Sequence, residues 1–306
     1  MQIYLPIAEI SVNILAILAI GCSVGILSGI FGVGGGFLLS PLLIFVGIPP
    51  VVAVATQANQ VIATSVSGVL NHWSRGNVDF KMGSILLVGG FIGSSFGVWV
   101  FSLLRTLGQI DLVIGLLYVF LLGIIGLLML FESTRDWWRH YSKKTQIIKT
   151  IYGLSWGEKL PFKIQFKKSE LHISVLLPLI IGALVGFLGA IMGIGGSFLL
   201  IPAMIYVLGM PTIMVVGTSL FQIIFVTANV TFLQALANQS VDIFLAIILI
   251  IGGVIGVQIG SRLGSKIPSQ QLKILLALLI LLVCSQLAYG LIATPSDLYS
   301  ISTIAL

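Results

Sequence analysis

The sequence predicts an all-α, polytopic integral membrane protein made of two related halves. Three observations predict it. Of 306 residues, 58% are hydrophobic and only 8% charged, whereas a soluble domain carries about a quarter charged residues. The apolar residues are gathered into runs near the roughly 20 residues that cross a hydrocarbon core. A Gly-rich block occurs twice, with the same apolar runs following each copy. A soluble core of this size has no place for so much apolar surface, and lipid removes the difficulty.

The repeat fixes the organisation. Gly32-Val33-Gly34-Gly35-Gly36-Phe37-Leu38-Leu39-Ser40-Pro41 aligns with Gly193-Ile194-Gly195-Gly196-Ser197-Phe198-Leu199-Leu200-Ile201-Pro202, identical at seven of ten positions with an offset of 161. The register then drifts by two residues: Thr56 and Gln60 meet Thr218 and Gln222, Val78-Asp79 meets Val241-Asp242, and Gly89-Gly90 meets Gly252-Gly253. Internal repeats of this kind outrank any local reading. They divide the chain into a first transmembrane repeat (1–131), a basic loop (132–170) and a second transmembrane repeat (171–306).

Taken in order, the first repeat opens on residues 8–30. No Lys or Arg precedes this run and no small-residue cleavage pattern ends it, so it reads as a retained transmembrane helix. Long runs follow at 51–71, 82–104 and 111–131, and in the second repeat at 172–192, 213–234, 243–263 and 272–293. That makes eight long helices. A shorter run lies after each Gly block, at 37–47 and 198–208, bounded by Pro49-Pro50 and by Pro211. Each is a short or discontinuous helix. Between the repeats, nine of the fifteen basic residues fall in Glu132–Glu170, as in a cytoplasmic loop. With that loop inside, inverted repeats also place Arg75, Lys81, Arg262, Lys266 and Lys273 inside, whereas parallel repeats export the last three. Inversion is the favoured arrangement. Trp137-Trp138, between Arg135 and Arg139, suits an interfacial belt, and the basic loop suits anionic headgroups.

The chemistry is expected where the Gly blocks break the helices. Consecutive glycines cost a helix roughly 1 kcal/mol each relative to Ala, and irregular backbone survives in a membrane only beside protein or a water-filled cavity. A helix starting near Phe37 has unpaired N–H groups and a positive dipole end, which suit an anion. Paired Gly/Pro-interrupted segments also point to a transporter site. Tight helix packing is the competing account of the same glycines. The next run places Thr56, Gln60, Thr64, Ser67 and Asn71 on one helical face, with Gln57, Asn59 and Ser65 beside them. Thr218, Ser219, Gln222 and Asn229 repeat the pattern in the second half.

Charge is absent from both regions: no Asp, Glu, Lys or Arg lies between Glu9 and Arg75, or between Glu170 and Asp242. A buried carboxylate relay has no member there. Asp79 and Asp242, at equivalent helix starts, read as N-caps, and His72 as an interfacial bystander. Cys22 and Cys284 read as packing residues. No metal-ligand spacing and no catalytic arrangement emerges, so the chain is read as no enzyme and as needing no cofactor. The net charge of +6 is too localised for nucleic acid.

At the repeated Gly-x-Gly-Gly-[Gly/Ser]-Phe-Leu-Leu-x-Pro blocks the sequence resembles the TauE/SafE (TSUP) family of membrane permeases. Gly47-Ile48-Pro49-Pro50 leading to Ala55-Thr56-Gln57, Gly209-Met210-Pro211-Thr212 leading to Gly217-Thr218-Ser219, and the Val-Asp before the following run fit as well. The resemblance extends from about residue 10 to 293, apart from the central loop. It implies transport of sulfur-containing or organic anions such as sulfite, sulfonates and sulfoacetate-like compounds, often as export. It points to Gly34, Gly35 and Gly36 with Gly195, Gly196 and Ser197, and to the stretches holding Thr56, Gln57, Asn59 and Gln60, and Thr218, Ser219 and Gln222. Gln57 and the long basic loop depart from the wider pattern.

The expectation is therefore a secondary transporter of the cell membrane that carries a small anion by alternating access around a midplane site. Its expected partners are that small anionic substrate and membrane lipid, and a homo-oligomer is compatible with the sequence. A channel-like anion facilitator, or a membrane scaffold working through the basic loop, are the alternatives.

Overall fold

The computed structural model describes residues 2–31, 36–141, 163–166, 168–169, 171–193, 195–264 and 269–292. Ten helices lie among them: α1 Ile14–Phe31, α2 Gly36–Phe45, α3 Pro50–Ser74, α4 Phe80–Thr106, α5 Ile110–Tyr141, α6 Leu176–Met192, α7 Ser197–Pro202, α8 Thr212–Asn238, α9 Ile243–Gly264 and α10 Ser269–Ile292. A π-helical turn, Ala203–Val207, continues α7. Two antiparallel hairpins join them, β1 Gln2–Leu5 with β2 Ile10–Asn13, and β3 Lys163–Phe166 with β4 Leu171–Ser174.

The hairpins correct two expectations. Residues 8–13 are turn and strand and residues 172–174 are strand, so the first helix begins only at Ile14 and α6, expected from 172, only at Leu176. Glu9 turns the chain with φ 55°, and Asn13 Oδ1 accepts from the Leu15 N–H at 3.0 Å, satisfying a backbone donor left over at the helix start. At the equivalent place in the second half Ser174 Oγ accepts from the Leu176 N–H at 3.3 Å. The repeat thus includes a hairpin and a capped helix start. α5, expected to stop at 131, runs on to Tyr141, since no Gly or Pro interrupts it there.

Of the eight long helices expected, four described helices are long and apolar enough to cross a membrane: Phe80–Thr106, Ile110–Phe131, Met214–Asn238 and Ile243–Leu263. Ile14–Ile30, Leu176–Met192 and Ala277–Ile292 are apolar but shorter. α3 has 25 residues and carries the polar stripe. The outward faces are apolar: Ile92, Phe96 and Trp99 on α4, and Leu116, Phe120 and Leu127 on α5, are all exposed. Such faces meet lipid in a multi-pass membrane protein.

The halves interlock. α1 packs against α9 and α6 against α4, while α3 and α8 cross at the centre and α5 lies against α10. Glycines make the close crossings. A Cβ on Gly25 would come within 2.4 Å of the Gly253 carbonyl oxygen, and one on Gly186 within 2.5 Å of that of Gly90. The contacts also give the helix directions. Gly21, Gly25 and Gly29 meet Leu249, Gly253 and Val257, so α1 and α9 run the same way. Gly89 and Gly93 meet Leu179 and Ala183, so α4 and α6 do too. Gly68 meets Leu220, whereas Gly195 sits between Val61 and both Ile223 and Thr227, so α3 and α8 run oppositely.

One face of the bundle is basic. Arg75 and Lys81 flank the turn between α3 and α4. Lys168, on the second hairpin, donates to the Val78 carbonyl at 3.1 Å, and Arg262 lies near the end of α9. Arg105, bonded to the Asn238 carbonyl, lies at the opposite face, as do Glu9 and Asp111.

Candidate functional site

The two breaks converge. Gly193, Gly195 and Gly196 have φ values of 69°, 66° and 75°, a left-handed turn that residues with a Cβ rarely adopt. It redirects the chain from the end of α6 into α7. A Cβ on Gly193 would meet the Val54 carbonyl oxygen at 2.3 Å, so the turn lies directly on α3. The repeat-related Phe37 and Phe198, just inside α2 and α7, stack with ring centroids 5.5 Å apart. The helices that restart after each break therefore touch at the middle of the molecule.

Polar side chains surround this junction. Gln57, fully buried, donates to the Met192 carbonyl at 3.2 Å, and the Tyr118 hydroxyl donates to the same oxygen at 2.7 Å. The first half thus satisfies the end of the broken helix in the second. Gln60 and Gln222 have matching surroundings in the two halves. Gln60 lies over Gly253, where its amide reaches the Gly21 carbonyl only at 3.4 Å. Gln222 lies over Gly90 and reaches the Leu86 carbonyl at 3.5 Å. Their exposures are 1% and 0%, and the carbonyl oxygens of Gln57, Gln60 and Gln222 have no hydrogen-bond partner. Neither do the hydroxyls of Ser65 and Thr227, and Thr227 Oγ1 is the nearest atom to where a Gly195 Cβ would stand, at 2.5 Å. A buried polar atom without a partner costs about 1–3 kcal/mol, so these atoms carry an unmet hydrogen-bonding demand.

Other expected site residues are placed differently. Thr56 Oγ1 accepts from the Asp242 N–H and Thr218 Oγ1 from the Asp79 N–H, both at 3.0 Å, so each ties its helix to the helix start of the other half. Asn59 donates to the Thr56 carbonyl and Ser219 to the Val216 carbonyl, each within its own helix. Gly36 is buried at the start of α2. Ser197 begins α7, though its side chain, like Gly34 and Gly35 entirely, lies outside the described residues. Asp79 and Asp242 are N-caps as expected, accepting from the N–H groups of Lys81 and Met82, and of Leu245. The hairpins reinforce them: Ser169 donates to Asp79 at 2.6 Å, and the Ile7 N–H to Asp242 at 3.1 Å.

Sequence reasoning missed Tyr118 and Thr227. Thr227 was within reach, because it is the repeat partner of Ser65 at the offset that relates Gln60 to Gln222. Tyr118 was not, since nothing in an apolar run shows that one hydroxyl turns toward a distant helix end.

A duplicated membrane bundle with paired broken helices meeting at its centre defines the class, a multi-pass membrane transporter. The chain belongs to the sulfite exporter TauE/SafE family, whose model matches residues 17–287. It is 29% identical over 249 residues to the probable membrane transporter protein YjnA of Bacillus subtilis, covering 78% of this chain and 85% of that one. Identity to the probable membrane transporter protein YunE of the same organism is 25% over 281 residues, covering 89% and 96%. The sulfite exporter TauE/SafE family protein 2 of Arabidopsis thaliana is 32% identical over 142 residues, 45% of this chain and 28% of the relative. No solved structure matches the chain.

Proposed function

We propose that this protein is a secondary transporter that moves a small sulfur oxyanion or sulfonate outward across the cell membrane. The observation that carries the reading is the repeat-related pair Gln60 and Gln222, each buried and loosely bonded on the central helices α3 and α8. A site of amides and hydroxyls without a fixed charge holds an anion by dipoles alone. It escapes the cost of a buried ion, and it binds weakly enough to release its cargo. Thr227 and Ser65 supply hydroxyl donors, and the glycine turns let the backbone come close. The Arabidopsis relative's name, a sulfite exporter family protein, favours sulfite within this class.

The two repeats have inverted topology in this reading. α3 and α9 run together from the Thr56–Asp242 contact, whereas α4 starts at the far end of α3 beside Thr218. The equivalent helices α4 and α9 then point in opposite directions. The face bearing Arg75, Lys81, Lys168 and Arg262 is cytoplasmic by the positive-inside rule. In this reading the two repeats, expected at 1–131 and 171–306, each reach into the basic 132–170 segment, α5 through Tyr141 and the β3–β4 hairpin from Lys163. Access alternates as the halves rock about the central α3–α8 crossing.

Purified protein in liposomes tests this. Sulfite flux is expected to saturate and to be inhibited by sulfonates such as sulfoacetate, with chloride much less effective. Flux that never saturates would identify a facilitator, and no flux of any sulfur anion would contradict the proposal.

A further inference from the structure

A cavity of about 110 Å³ lies between α1, α3, α8 and α9, and Ser28, Thr64, Ser67, His72, Gln258 and Ser261 supply its polar lining. Gln258 and Ser261 are exposed. Polar groups facing hydrocarbon would be costly, so this space suits water rather than lipid. It runs along the face of α3 that carries Gln60, one turn of helix beyond Thr64, and its outer end at His72 lies beside Arg75 on the basic face. His72 Nδ1 is buried and has no hydrogen-bond partner.

The repeat-related place in the other half is shut. By the same offsets Ser67 corresponds to Asn229, His72 to Gln234, Gln258 to Ser95 and Ser261 to Val98. There Asn229 donates to Ser94 Oγ at 3.0 Å and to Ser95 Oγ at 3.1 Å. Asn238 donates to the Gln234 side chain at 2.6 Å. Val98, Ala190 and Val230 pack together at 3%, 0% and 1% exposure. Polar groups that line an open space in one half are paired with one another in its counterpart, and valines close the gap.

We propose that the α1–α3–α9 cavity is the aqueous vestibule by which an anion reaches Gln60 from the basic face, that His72 donates the first hydrogen bond to it, and that the Val98–Ala190–Val230 cluster is the closed exit. The proposal deepens the transport reading and rests on it for direction. It commits this conformation to one state of the cycle, open on the basic face. In the alternate state the two regions exchange roles: the cavity beside Ser67 collapses, and the Asn229 contacts break.

Cysteine reactivity tests it without turnover. In a Cys22→Ala/Cys284→Ala background, single variants Ser67→Cys, Ser261→Cys, Val98→Cys and Val230→Cys are treated in oriented vesicles with two impermeant methanethiosulfonates. One carries an ethylsulfonate, the other an ethyltrimethylammonium, and each rate is normalised to that of a free thiol. The first two variants should react from the basic face at least tenfold faster than the last two react from either face. In the Ser67→Cys variant the sulfonate reagent should be favoured, and adding His72→Ala should lower that preference about threefold, the smaller end of one net hydrogen bond. Adding His72→Gln, which keeps an N–H donor, should preserve it.

Unreactive Ser67→Cys and Ser261→Cys variants would overturn the vestibule. Equal reactivity of all four would overturn the closed exit, and an unchanged preference after His72→Ala would remove His72 as the recognition group. Because sulfonate labelling needs no transport, a protein that labels as expected but carries no sulfite would retain the vestibule and sink the transport function.

Discussion

The two halves of the molecule agree in their frame and differ at their mouths. The frame is strictly paired. Asn13 and Ser174 start the first long helices, Thr56 and Thr218 hold the opposite helix starts, and Gln60 and Gln222 rest on Gly253 and Gly90. The mouths are unlike: a polar cavity beside His72, against a packed valine cluster beside Gln234. The lesson is one of division of labour. In the proposed cycle, contacts repeated in both halves survive whichever face is open, whereas contacts made in only one half are those that a change of state must break.

The largest effects should come from the paired glycine crossings. A Cβ at Gly93 would meet the Ala183 carbonyl at 1.9 Å, and one at Gly256 the Cys22 carbonyl at 2.2 Å. Backbone cannot yield as a side chain does, so Gly93→Ala and Gly256→Ala should each cost about 3 kcal/mol or more. Folded yield and melting temperature in detergent check this. A harmless substitution on one side alone would break the claim that both crossings are structural.

Next are the helix-start carboxylates. Asp79→Ala and Asp242→Ala should each destabilise by about 1–2 kcal/mol, and Asn at either position should recover most of the loss. Each carboxylate also holds one hairpin contact, but Asp79 should cost more, because it accepts from two helix-start N–H groups, Lys81 and Met82, and Asp242 from Leu245. Equal melting temperatures for the two variants would show that the second cap bond adds nothing.

The smallest effect on stability belongs to the unpartnered hydroxyl. Thr227→Val keeps the side-chain size and removes a buried donor that has no mate, so melting should change by less than about 1 kcal/mol in either direction. Anion affinity should nevertheless fall. A stable variant with unaltered affinity would place Thr227 outside the site.

Much of this was legible in the sequence, and the reasons are physical. Glycines at helix crossings and Gln60 and Gln222 above them tolerate few replacements, so the duplication persists at those positions and announces the repeat. The hairpins were illegible because four-residue strands offer too short an alternation. Gln2–Leu5 and Lys163–Phe166 share only Ile3 and Ile164 at matching places. The first disappeared into an apolar run and the second into a basic one. Thr56 shows another limit. Its stripe was placed on one helical face, yet its partner lies 186 residues away, and no local pattern separates a hydroxyl that holds a helix start from one that faces a cargo. The closed valine cluster was hidden for a related reason, since valines in a membrane helix look alike whether they face lipid or seal a pathway.

The central claim is that two neutral glutamines, one from each half, hold the anion. The most direct measurement is sulfite affinity by calorimetry on the purified wild type, Gln60→Ala, Gln222→Ala and the double variant, with melting temperatures recorded alongside. Affinity should be roughly tenfold weaker in each single variant, about 1.4 kcal/mol, with a larger loss in the double variant and little change in melting. Wild-type affinity retained in both single variants, with the fold intact, would contradict it.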